Sequence, residues 1–127
     1  MNNPFIRWAA VCGALAVILG AFGAHALKAI LPPESLMSFE TGVKYQMYHA
    51  LALLGVGLIR EKHPGKWITY SGHAFLIGII LFSGSLYLLT LLRATSTVGL
   101  EGLGLITPVG GLFLIAGWLL LLAGMKK

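Results

Sequence analysis

Four apolar stretches, about residues 5–27, 45–59, 67–92 and 105–125, are separated by segments that hold nearly all of the charge. In hydrocarbon a backbone must satisfy its own N–H and C=O groups, so such runs admit helices or closed barrels only. Unbroken apolar runs, without alternation of polar residues, select the helix. A helix needs roughly 20 residues to cross a core about 30 Å thick. Three of the runs reach that length, and the second falls short.

The second run can be extended backwards. Leu36, Phe39, Val43, Met47, Ala50 and Leu54 continue one stripe at steps of three and four through the polar segment before it. Pro33 and Glu34 suit the first turn of a helix, one because its missing N–H is not needed there and the other because it complements the helix dipole. The sequence therefore predicts one long helix from about 33 to 60, spanning from about residue 40, with an amphipathic N-terminal extension at the membrane surface. The expected fold is all-α, an integral membrane four-helix bundle in a single domain covering 1–127, with spans at about 5–27, 40–60, 67–92 and 105–125.

Composition agrees with this class. Of 127 residues 57% are hydrophobic and 10% are charged, and the mean hydropathy is +0.88. An average soluble domain has about a quarter of its residues charged. The net charge of +5 does not point to nucleic acid, because Lys and Arg sit at the ends of the apolar runs, as membrane anchors do. With four spans, Arg7, Arg60, Lys62, Lys66, Lys126 and Lys127 fall on one side and Lys28, Lys44 and Arg93 on the other. That bias predicts both termini in the cytoplasm, or its topological equivalent. The one cysteine, Cys12, excludes an intramolecular disulfide, a paired-thiol redox centre and a cysteine-based zinc site.

Residues 20 to 27 read G-A-F-G-A-H-A-L, and Ala24-His25-Ala26 has the pattern a signal peptidase reads. The run from Trp8 to Ala24 is longer than a usual signal core, so the first helix is expected to stay. Small residues then explain the glycines. Lipid tails are as apolar as leucine, so helices in a bilayer associate by close approach, which small residues permit. They recur here at seven-residue steps: Ala9, Ala16 and Gly23; Ala50 and Gly57; Ser71, Gly78 and Ser85; Gly110, Gly117 and Gly124. A seven-residue period keeps a seam facing its neighbour in a left-handed bundle. Gly13 and Gly20 lie beside the first seam, and Ala16, Gly20 and Ala24 are expected to allow close approach at four-residue steps. Gly13, Ala16, Gly20, Gly23, Gly78, Ser85, Gly110 and Gly117 are the expected packing positions. Thr107 is placed to cap the last helix, with Pro108 at its first position. The Gly-rich segment before it, from Arg93, reads as a connector, with a lid as the alternative.

Ionisable groups within spans are functional candidates by default. His25, His49 and His73 are spaced by 24 residues, yet their flanks differ and their distances from the charged ends are unequal, so they do not mark a repeat. His49 lies roughly 16 Å along the helix from Arg60, near mid-membrane. Gly42, Tyr45, Gln46 and His49 share a face; Glu40, Lys44 and Tyr48 line the adjacent one, with Glu40 placed to pair with Lys44. His25 and Lys28 are expected to approach from the first helix. The candidate polar or ligand cluster is thus His25, Lys28, Glu40, Lys44, Tyr45, Gln46 and His49. The competing reading has Glu40 and Lys44 snorkelling at the interface while His49 makes one interhelical hydrogen bond. No nucleophile elbow, phosphate loop, His-Glu-x-x-His or pair of membrane carboxylates is present. The first helix lacks the carboxylate on which small drug–proton antiporters depend. Two facing histidines could hold a haem or flank a quinone, but no motif supports either. No catalytic residue, cofactor or metal is implied.

The blocks G-A-F-G-A-H-A-L, F-x-x-G-V-x-Y-Q-x-Y-H-A-L-A-L-L of residues 39 to 54, L-F-S-G-S-L-Y of 81 to 87 and I-T-P-V-G-G of 106 to 111 resemble one family in order along the chain. It is the small four-span family catalogued as domain of unknown function 423, with bacterial YgdD/YwdK-like inner-membrane proteins, and it is similar to eukaryotic transmembrane protein 256. The resemblance implies location and topology, a multi-pass protein of the bacterial cytoplasmic (inner) membrane with its first helix retained, and carries over no catalytic residue. The function expected is that of a non-enzymatic accessory or assembly protein. Its partners would be the lipid bilayer and either a membrane protein or further copies of itself, with no nucleic acid. The alternative is a small-solute, ion or proton transporter or channel working through the cluster around His49.

Overall fold

The first helix starts where its sequence provides a cap. Asn3 accepts a hydrogen bond from the Ile6 N–H at 3.3 Å through its side chain, and Pro4 occupies the position where a missing N–H costs nothing. In the computed structural model, which describes residues 3–94 and 104–125, four helices follow: α1 Pro4–Ile30, α2 Pro33–Lys62, α3 Lys66–Ala94 and α4 Ile106–Gly124. No strand occurs among the described residues.

The breaks between helices follow from proline. Leu31 precedes Pro32 and Pro32 precedes Pro33, and a residue before proline is pushed out of the helical region. Both are extended, at φ −107° and ψ 144° and at φ −65° and ψ 156°. The turn that results sends α2 back along α1. His63 before Pro64 ends α2 in the same way, at φ −132° and ψ 67°. Glu34 in the first turn of α2 and Arg60 and Lys62 in its last complement the helix dipole at both ends.

Within α1 the segment Gly23–Leu27 is a single π-helical turn, closed by the Lys28 N–H on the Gly23 carbonyl. It is the G-A-H-A-L of the opening motif.

Each helix packs mainly against its neighbour in sequence, and α3 with α4 forms the closest pair. The reason lies in the glycines of α4. A Cβ on Gly110 would collide with the backbone N of Phe82, one on Gly117 would stand 2.5 Å from the Phe75 ring, and one on Gly124 would collide with Ile68. Gly78 does the same for α3, where a Cβ would stand 2.6 Å from Leu114. In all four pairs the two residue numbers sum to one value, which is how two antiparallel helices in strict register behave. Ser85 and Thr107, hydrogen-bonded at 2.5 Å, obey the same rule.

The other seams are buried as well. Ala9, Ala16 and Gly23 are buried on α1, Ala50 and Gly57 on α2, and Ser71, Gly78 and Ser85 on α3. A Cβ on Gly20 would make only an ordinary contact with Val43 at 3.4 Å, while one on Gly23 would press on Phe39 at 2.8 Å. Two expected packing positions fail. A Cβ on Gly13 would meet nothing within 4 Å, and Ala24 is exposed. A third correction concerns α4, which begins at Ile106 with no side-chain cap. Pro108 sits within the first turn, where its missing N–H is still harmless, and the Thr107 hydroxyl serves the bond to Ser85 instead. The connector expected after Arg93 lies, for residues 95–103, outside the described residues, as do Lys126 and Lys127.

By length and apolarity α1, α3 and α4 qualify as membrane spans, and α2 does not. α2 instead runs for 30 residues between α1 and α3, which cover it on two sides. Of its polar residues Ser35, Gln46 and His49 turn inward. The apolar core has two centres: Phe5, Leu53, Val56, Ile68, Phe75 and Leu114 toward one end, and Leu27, Leu31 and Phe39 at the other. The protein is an all-α integral membrane four-helix bundle, and Gln46, His49 and Ser83 form a polar band between these centres.

Candidate functional site

The buried face of α2 steps through Phe39, Gly42, Gln46, His49, Leu53 and Val56. Large apolar residues on the same helix, Met37, Leu51, Leu54 and Leu58, point outward. This reverses the expected stripe at Leu54. In water the apolar side of a helix turns inward. In lipid both sides are apolar, and the polar side chains turn in to find partners.

Those partners are mostly backbone carbonyls of other helices. Gln46 donates from Nε2 to the Cys12 carbonyl at 2.7 Å and accepts at Oε1 from the Tyr87 hydroxyl at 2.6 Å, so one side chain links α1, α2 and α3. Ser83 donates to the Gly42 carbonyl at 2.7 Å, and Ser71 donates to that of Gly117 at 2.6 Å. At the end of the bundle Asn3 donates to the Gly57 carbonyl and to Glu61, at 3.1 and 2.7 Å. Among the described residues no buried side-chain nitrogen or oxygen lacks a partner.

His49 is held at both ring nitrogens. A carbonyl oxygen can only accept, so the 2.7 Å contact between Nδ1 and the Tyr45 carbonyl places the ring hydrogen on Nδ1. Nε2 is then an acceptor, and the Trp118 indole N–H donates to it at 3.1 Å. The ring packs between Phe75 and Tyr45, with centroids at 5.6 and 5.9 Å. As arranged, His49 is a neutral imidazole with neither nitrogen free.

Beside His49 a cleft of about 540 Å³ opens between α2 and α4. Its walls are Tyr45, Tyr48, Phe82 and Trp118, with Gly111, Leu114 and Ile115 along α4. Tyr48, Ile115 and Trp118 are exposed, so the opening faces sideways out of the bundle. A second cleft, about 340 Å³ between α1 and α2, is lined by Gly20, Phe39, Glu40, Val43 and Lys44.

The seven residues of the expected cluster therefore do not form one pocket. Gln46 and His49 are interior and Tyr45 lies at the cleft wall. Glu40 and Lys44 are exposed in the other cleft and form no ion pair there. His25 and Lys28 are exposed on α1, with no hydrogen bond to α2 among the described residues. His73 is exposed too, its ring edge-on to Phe5 at 5.3 Å. No group of three metal-ligating side chains occurs among the described residues.

Sequence reasoning missed Trp118. The available signal was an indole in the middle of an apolar span, whose N–H has to find an acceptor inside the bundle.

Over residues 19–111 the sequence matches the family described as protein of unknown function (DUF423). The chain belongs to this family. It is 42% identical over 97% of its length to the membrane protein YwdK of Bacillus subtilis (strain 168), covering 96% of that protein. It is 39% identical to a membrane protein of Haemophilus influenzae, over 100% of its own length and 97% of that protein. With the inner membrane protein YgdD of Escherichia coli (strain K12) it shares 38% identity over 98% of its length and 91% of that protein. No solved structure matches the chain. Members of the DUF423 family with these names are membrane proteins, in keeping with the spans described above.

Proposed function

We propose that the protein is a non-enzymatic accessory or assembly protein of a bacterial cytoplasmic membrane, with both termini cytoplasmic. On this reading the polar band fixes the register of the helices, and the outer faces serve contacts with lipid, with a partner membrane protein or with further copies of the chain. One observation carries it: the hydrogen-bonding groups of the buried Gln46 and His49 are taken within the bundle, Gln46 by α1 and α3, and His49 by Trp118 of α4 and the Tyr45 carbonyl of its own helix. A transport site needs groups free to exchange partners with a solute. Glu40 and Lys44, the charges nearest the band, stand outside it.

The orientation rests on the uneven placement of Lys and Arg. Cysteine accessibility at engineered positions in the two end segments, read in intact spheroplasts, tests it.

Transport is the second reading, favoured by the cleft that reaches His49 from the side. His49→Ala and Glu40→Ala variants separate the two. If the accessory reading holds, His49→Ala loosens the fold or the oligomeric state, Glu40→Ala changes neither, and liposomes containing the intact protein show no solute or proton flux above protein-free ones. Flux through the intact protein that is lost in a stably folded His49→Ala variant would establish transport instead.

A further inference from the structure

The hydroxyls of Ser71, Ser83, Ser85, Tyr87, Thr90 and Thr107 each have a partner between or along the helices. Tyr45 and Tyr48, on the cleft wall, have ring contacts but no hydrogen-bond partner for either hydroxyl among the described residues. Hydrocarbon supplies no acceptor, so a phenol inside the bilayer is penalised until one arrives.

We propose that the α2–α4 cleft binds a membrane-dissolved molecule built on a flat ring with hydrogen-bond-accepting oxygens, of the quinone class. The walls suit a flat ring. Tyr45 lies against Phe82 and Tyr48 with centroids 4.9 and 5.8 Å away, and Trp118 forms the opposite side. The volume of about 540 Å³ lies within the usual range for small-molecule sites. The polar groups of the walls are two phenol hydroxyls, each able to donate as well as accept, with the one acceptor nitrogen of His49 already taken by Trp118. Carbonyl oxygens on a ring answer that pattern, whereas an acyl chain has no use for it and a phospholipid headgroup needs a charge that the cleft walls do not carry. Gly111 keeps the slot open, since a Cβ there would meet only the edge of Phe82 at 3.8 Å. Sideways opening gives a lipid-dissolved molecule direct entry. Occupancy is independent of whether the protein acts as an accessory factor or a transporter.

The test uses the full chain in phospholipid nanodiscs. Trp8 and Trp67, the other two tryptophans, are changed to Phe, leaving Trp118 as reporter. A short-chain alkyl benzoquinone is titrated and quenching is read against its concentration in lipid. Saturable quenching is expected, and a ringless amphiphile with the same alkyl chain should not compete. Tyr45→Phe with Tyr48→Phe keeps both rings and removes both donors, and should weaken binding about tenfold. Gly111→Leu should abolish the saturable component. Helical circular dichroism and the melting temperature verify folding, and if Gly111→Leu does not fold the double Phe variant decides alone. Quenching that is only linear, equal in the double Phe variant, or reversed by the ringless amphiphile would overturn the assignment.

Discussion

Two faces of α4, one residue apart in the sequence, meet their neighbours in opposite ways. The face of Gly110 and Gly117 lies against α3 with backbones in contact range, in an unbroken seven-residue register. The face of Gly111, Ile115 and Trp118 looks toward α2 and leaves a cleft. Hydrophobicity does not distinguish them, because both are apolar and lipid is as good a solvent for either. Size does. Where α4 offers a hydrogen atom the neighbouring helix closes in, and where it offers an indole and a branched chain the helices stay apart, joined by one bond from Trp118 to His49.

The sharpest way to break this contrast is to add the same volume on each face. Gly110→Leu should destabilise the bundle by about 3 kcal/mol, since the added side chain meets the backbone of Phe82 and cannot be accommodated by a rotamer change. Reversible unfolding in mixed micelles would measure it. A loss below about 1 kcal/mol would mean that the α3–α4 register is not held by close approach.

Gln46→Ala comes next. It strands the Tyr87 hydroxyl and releases the Cys12 carbonyl, two interhelical bonds at once, and should cost about 1.5 kcal/mol in the same assay. Gln46→Ala combined with Tyr87→Phe should cost less than the sum of the two single changes, because the stranded hydroxyl is gone.

Trp118→Phe keeps an aromatic wall but removes the donor to His49. A loss of about 0.6 kcal/mol is expected, the average for an interhelical hydrogen bond in a membrane. Freed at Nε2, His49 should also react faster with an imidazole-directed acylating reagent, and an unchanged rate would show that Trp118 does not cap it. Gly111→Ala and Gly13→Ala mark the small end of the scale. Neither added Cβ meets a neighbour closer than 3.8 Å, so each should lie within about 0.5 kcal/mol of the parent protein.

Much of this architecture can be read from the residues. Apolar runs locate α1, α3 and α4, prolines locate the breaks at 32–33 and 64, and the seven-residue recurrence of small side chains locates the seams. What misleads is the habit of reading an apolar stripe as a buried face. On α2 that habit selects Leu54, which is exposed, and underrates Gly42, Gln46 and His49, which are buried. Small residues alone do not identify a contact either. Gly13 looks no different in sequence from Gly20 or Gly23, yet it faces away from every neighbour, because which side of α1 meets α2 is set by partners distant in the chain. The cluster of seven polar residues scattered for the same reason. Spacing along one helix places Gln46 and His49 together, but it carries no information on where His25 and Lys28 of another helix will point.

The π-helical turn at Gly23–Leu27 has a further meaning. A π-turn holds one residue more than the α-turn it replaces, and the surplus is absorbed locally as a bulge. Gly23 and Leu27 at the two ends of the turn and Leu31 beyond it all remain buried beside Phe39. The turn therefore works as a phase corrector, taking up one residue of slack while the chain on either side keeps its face toward α2.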